Sequence, residues 1–83
     1  MEERTGRFFT RNVYLATAVV NGIGQDPEYL TEAGFTQFGF PKSPELYKII
    51  DSFNDGSLLV SAYQFSETLK RLRGEMISRR GQR

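Results

Sequence analysis

The chain has 83 residues, 39% of them hydrophobic and 13% aromatic, a formal charge of +1, and neither cysteine nor histidine. This is the composition of one folded domain, and it excludes disulfides, thiolate metal sites and histidine-based acid–base or metal chemistry. No apolar run reaches the roughly 18 residues of a membrane span, and Glu2 and Glu3 stand where a signal peptide needs positive charge, so a cytoplasmic protein with no membrane contact and no cofactor is expected.

Residues 1–9 read as a loose leader, although Phe8 and Phe9 need a place to bury. Thr10 or Asn12 can cap a first helix. Leu15, Ala18, Val19 and Gly22 then share a face, the small residues Ala16, Thr17 and Ala18 allow close packing, and Gly22 and Gly24 stop the helix. The Gly22/Gly24 pair follows a helix rather than opening one, so a nucleotide loop is a poor reading. After the Asp26-Pro27 turn, Glu28–Glu32 and Phe35–Phe40 form a hairpin about Ala33-Gly34. In its second strand Thr36, Phe38 and Phe40 alternate onto one face. Phe35 lies on the other, either as a stacking platform for a base or as cover for the far edge of the core.

Ser43-Pro44-Glu45 is a helix start: a capping hydroxyl, a proline at the first helical position and an acid in the first turn. Leu46, Ile49, Ile50 and Phe53 follow at helical spacing, and Asn54-Asp55-Gly56 ends that helix. Leu58, Leu59 and Val60 are too few for a helix and suit a short strand. Ser61 and Gln64 have the spacing of a capping box. Beyond them Phe65, Leu69, Leu72 and Met76 form one apolar stripe, flanked by Tyr63 and Ile77, and the other face carries Lys70, Arg71, Arg73, Arg79 and Arg80. Gly74 falls off the stripe. The expected fold is α+β, in the order α-β-β-α-β-α: a hairpin plus a short strand in an antiparallel sheet covered by three helices, a single domain over 10–80 with a frayed tail at 81–83.

TRNVYLATAVVNGIG, the FGFP strand, SPELYKIIDSFNDG and LLVSAYQFSETLKRLRGEM together resemble a family of short phage and mobile-element proteins, a domain of unknown function. The matching positions are Thr10, Tyr14, Leu15, Ala16, Phe38, Phe40, Phe53, Gly56 and Leu69-Lys70-Arg71-Leu72. The resemblance implies a mobile-element protein in a bacterial cytoplasm and carries over no catalytic residue. LVSAYQFSETLKRL is also similar, more faintly, to the strand-to-helix step of PC4-like single-strand-binding proteins, which have four strands before the helix.

Charge is divided unevenly. Residues 70–83 carry a net +5 and residues 1–69 a net −4, and arginine outnumbers lysine. A basic end of this kind fits an anionic partner. The first reading is therefore a non-enzymatic nucleic-acid-binding accessory protein. Lys70, Arg71, Arg73, Arg79 and Arg80 would contact phosphates, with Arg7 and Arg11 alongside and Phe35 stacking on a base. The alternative is a protein-interaction module: an adaptor, a complex subunit or an inhibitor of a host protein. A homodimer pairing the last helices is compatible with either. For an enzyme the sequence offers little beyond Asp51 and Asp55, four apart, which read as a solvated helix face.

Overall fold

The computed structural model describes residues 6–80, with the backbone alone described for Arg80. The elements are β1 (Arg7–Thr10), α1 (Val13–Ile23), β2 (Glu28–Glu32), β3 (Phe35–Pro41), α2 (Pro44–Asp55) and α3 (Ala62–Arg80). The class is α+β, as expected. The sheet is antiparallel with β3 in the centre, in the order β1-β3-β2.

The third strand comes from the opposite end of the chain to the one expected. Arg7–Thr10, assigned above to the leader (residues 7–9) and to a candidate helix cap (Thr10), pairs along β3 with Phe8 opposite Phe40 and Thr10 opposite Phe38. Leu58–Val60 forms no strand. The reason lies at the end of α2. Gly56 takes a left-handed conformation (φ 81°), and the amides of Ser57 and Leu58 both donate to the Ser52 carbonyl, at 3.0 and 3.2 Å. The chain leaves that cap as a loop across the helical layer and never reaches the sheet. The order is thus β-α-β-β-α-α. The rest of the proposed leader (1–5) and the proposed tail (81–83) lie outside the described residues.

The hairpin forms where the sequence places it. Ala33 (φ 51°) and Gly34 (φ 83°) both lie in the left-handed region, which gives a two-residue turn whose twist matches the strands. The register sets Tyr29 opposite Phe38 and Thr31 opposite Thr36. Directly opposed residues share a face, so Phe8, Thr10, Tyr29 and Thr31 join Thr36, Phe38 and Phe40 on the inner side.

Helix α1 packs against both α2 and α3. This explains why it is apolar almost all round, with Val13, Leu15, Ala16, Thr17, Ala18, Val19 and Val20 buried. Its cap is Asn12, whose Oδ1 accepts from the amides of Tyr14 (3.0 Å) and Leu15 (3.2 Å). Thr10 is committed to β1 and instead accepts from the Asn12 amide. Gly24, not Gly22, closes α1, at φ 70°. A Cβ on Gly22 would meet Ile49 Cδ1 at 2.5 Å, so glycine there lets α2 approach. Helix α2 starts at Ser43, whose hydroxyl accepts from the Leu46 amide. Helix α3 starts at Ser61, whose hydroxyl accepts from the Gln64 amide at 3.3 Å.

The core joins Phe38, Phe40, Leu46 and Leu72 to the buried side of α1, with Phe8, Tyr29, Ile49, Phe53, Leu69 and Met76 packed at its margin. Among the described side chains of α3, Leu72 alone is fully buried. Tyr63 and Ile77 do not flank the apolar stripe. At 100° per residue they fall opposite Leu72, and both are exposed.

Candidate interaction surfaces

The basic residues of α3 do not form a single stripe. At helical spacing Lys70, Arg71, Arg73 and Arg79 point in four different directions, and each meets a partner within the domain. Lys70 Nζ is 3.7 Å from Glu67. Arg71 Nη2 lies 3.1 Å from Asp26, at the turn before β2. Arg73 donates to the Tyr14 hydroxyl at 2.7 Å and its guanidinium lies 5.5 Å from the centre of that ring. Arg79 donates to Glu75 at 3.1 Å and covers the Tyr29 ring at 4.2 Å. The Arg80 side chain is outside the described part. Exposed ion pairs of this kind contribute only about 0–1 kcal/mol each, so they trim the positive potential more than they hold the fold.

Tyr29 shows what this end of α3 does locally. Burial pushes its hydroxyl above the ordinary value of 10.0, and the Glu75 carboxylate adds to the shift. Its ring meets Phe38 edge-on, with centroids 5.8 Å apart. Arg79 therefore acts as a lid over a core aromatic.

Arg7, Arg11 and Phe35 lie elsewhere, on the outer side of the sheet: Arg11 meets Phe35, whereas Arg7 stands opposite Pro41, at the other end of β3. Strand alternation directs Arg7 and Phe9 from β1, Leu30 from β2, and Phe35 and Gln37 from β3 to this side, away from the core. Phe35 is 52% exposed, and the Arg11 guanidinium lies over its ring at 4.3 Å. Arg7 pairs with Glu28 at 2.9 Å. Phe35 thus neither covers the core nor lies bare. It is half of a cation–aromatic pair. This surface holds two of the expected basic residues but is separated by the sheet from those of α3.

A third surface was missed by sequence reasoning. Leu59 and Val60, in the loop before α3, and Tyr63 and Ile77, on its outer side, are exposed apolar residues: 93% for Leu59, 74% for Tyr63 and 62% for Ile77. The sequence signal was present in the spacing of Tyr63 and Ile77, which do not fit the steps of four and three that run through Leu72. Beside this loop a cleft of about 160 Å³ opens between Leu58–Ser61 and the Ala18, Asn21 and Gly22 end of α1. There the Asn21 Oδ1 accepts from the Thr68 hydroxyl at 2.8 Å.

Asp51 and Asp55 are both exposed. Asp55 accepts from the Ser57 amide at 2.9 Å, and the Ser57 hydrogen bonds hold its carboxyl below the ordinary value of 3.8. That is the chemistry of a helix-end turn. Among the described residues no group of three or more carboxylates is placed to hold a metal ion, and no helix is long and apolar enough to cross a membrane.

Fold and surfaces together define a small α+β domain with helices on one side of a three-stranded antiparallel sheet. Comparison with protein-family models, curated proteins and solved structures finds no match for this chain.

Proposed function

We propose that the chain is a protein-interaction module, of the phage or mobile-element kind that its motifs resemble, which engages its partner through the outer side of α3 and the loop leading into it. The observation that carries this reading is the exposure of Tyr63 and Ile77 on a helix whose other side already builds the core, with Leu59 exposed in the loop that leads into it. Apolar residues on both sides of one helix serve two packing surfaces, one internal and one for a partner. Helix-in-groove and helix–helix docking both use such a strip.

A second reading, nucleic-acid binding, is favoured by the outer side of the sheet. Arg11 is already stacked on Phe35 there, with Arg7 on the same side at the far end of β3, and unpaired bases stack on surfaces of this type. In this reading Lys70, Arg71, Arg73 and Arg79 would have to exchange their partners in the domain for phosphates.

One pair of experiments separates the two. Affinity capture from the producing cell is run with the wild-type chain and with Tyr63→Glu. Fluorescence anisotropy is run with labelled single-stranded DNA, duplex DNA and RNA across a salt series. A partner retained by the wild type and lost by Tyr63→Glu, with no nucleic-acid binding at low salt, is the expected result. Micromolar, salt-sensitive binding that survives Tyr63→Glu and disappears in Arg7→Glu/Arg11→Glu would overturn the first reading in favour of the second.

A further inference from the structure

The outer side of α3 has a regular pattern that its exposure alone does not reveal. Tyr63, Glu67, Lys70, Gly74 and Ile77 follow one another at steps of four, three, four and three, and all are exposed. Alternating steps of four and three set residues along one line of a helix, the spacing that a coiled-coil seam uses; here the line is apolar at its two ends, Tyr63 and Ile77, and charged between them. The strip is about 21 Å long from Tyr63 to Ile77, and Gly74 leaves a notch in it, since a Cβ there would meet nothing within 4 Å.

We infer that this strip pairs with the same strip of a second copy, the two α3 helices running antiparallel about a two-fold axis that passes between Thr68 and Leu69. The inference rests on the protein-interaction reading above and names the partner. In this register Glu67 of each copy faces Lys70 of the other. Tyr63 of each lies over the Gly74 notch of the other, and Ile77 of each meets Val60 at the other's loop. A two-fold interface must be self-complementary, and this register is so in charge, in shape and in apolar contact at once. Sliding one helix by a heptad sets Tyr63 on Glu67 in one direction and Ile77 on Glu67 in the other. Centring the pair on Lys70 sets the two lysines against each other.

Glu67 and Lys70 are already an ion pair within each helix, at 3.7 Å with both side chains largely exposed. Pairing two copies joins them into a four-charge network around the axis. Leu59 and Val60 extend the apolar ends of the strip toward the roughly 800 Å² per partner that a stable association buries. An 83-residue domain leaves a large share of its surface in water, so association also relieves its thin margin of stability.

The test is the mass of the full chain by sedimentation and light scattering over a concentration series. The wild type is expected at twice its 9.5 kDa. Ile77→Glu and Gly74→Leu are expected as monomers. The open space at Gly74 means that leucine there leaves the melting temperature of the monomer unchanged or higher, so misfolding does not explain the loss. Glu67→Lys and Lys70→Glu should each weaken dimerisation at least tenfold, because like charges then meet at the axis. Glu67→Lys/Lys70→Glu combined should restore it. A wild-type mass of 9.5 kDa at every concentration overturns the inference. So does a dimer indifferent to Gly74→Leu, or a double exchange no tighter than the single ones. A monomer that still captures a different protein through Tyr63 overturns the dimer and leaves the protein-interaction reading standing.

Discussion

The ring of Phe9 lies across Gly39, so close that a Cβ on Gly39 would collide with it, with Phe9 Cδ1 at 2.8 Å and Cζ at 3.1 Å. The two residues are directly opposed in the sheet. Gly39 is therefore the seat of β1 on the outer side, while Phe8 anchors the same strand inside. Gly39→Ala should displace the ring and cost about 1–3 kcal/mol, the usual range for overpacking. Adding Phe9→Leu, which replaces the colliding ring with a shorter aliphatic side chain, should recover part of that loss. Denaturant unfolding of the single and double variants measures the coupling. Additive effects would show that Phe9 and Gly39 do not meet.

Two buried threonines should respond in opposite ways to valine. The Thr17 hydroxyl donates to the Val13 carbonyl at 2.7 Å, whereas the buried Thr36 Oγ1 has no hydrogen-bond partner among the described residues. A buried hydroxyl without a partner costs about 1–3 kcal/mol. Thr36→Val should therefore stabilise the domain by about 1 kcal/mol, and Thr17→Val should destabilise it by about 0.5–1.5 kcal/mol. Melting temperatures decide the matter, since 1 kcal/mol moves a domain of this size by roughly 4–8 °C. A fall in melting temperature for Thr36→Val would mean that its hydroxyl is satisfied.

Tyr29 makes stability depend on pH at the alkaline end. Burial first, then the Glu75 carboxylate, raises its hydroxyl above 10.0 in the folded chain. The unfolded chain therefore loses this proton at lower pH than the folded one. The contribution is fully present below the ordinary value and is lost as pH rises through the raised one. Unfolding free energy should fall between about pH 10 and the folded value, and Tyr29→Phe should make that fall shallower. An identical pH dependence for Tyr29→Phe would mean that the ring is as hydrated as in the unfolded chain.

Reversing Arg71, Arg73 and Arg79 to glutamate together should lower stability by about 1–3 kcal/mol while leaving the helical circular-dichroism signal in place. Three surface contacts are lost, each worth about 0–1 kcal/mol, and new acids come to stand beside Asp26 and Glu75. The apolar contacts of Leu69, Leu72 and Met76 remain. Collapse of the helical signal would place these arginines in the core rather than around it.

What could be read from the sequence is what short-range chemistry decides. Asn12 was one of two candidate caps for α1. Ala33-Gly34 gave the hairpin turn, Ser43-Pro44-Glu45 the start of α2, and the alternation of Thr36, Phe38 and Phe40 the inner side of β3. Each depends on residues within a few positions of one another, through capping bonds, turn geometry or the two-residue period of a strand.

The tertiary structure alone decided which apolar run completes the sheet. Phe8-Phe9 and Leu58-Leu59-Val60 are both short and suited to a strand, and nothing local separates them. The choice is made by Phe40 and Gly39, some thirty positions from the first run, and by the Ser52 carbonyl that turns the second away. The same holds for the arginines. A net +5 over residues 70–83 reads as a basic surface, but Asp26 and Tyr14 reach Arg71 and Arg73 only when α1 and α3 pack together. Local periodicity sets where helices and strands begin and end, whereas strand partners and charge pairs depend on contacts between distant parts of the chain, which a one-dimensional pattern does not record.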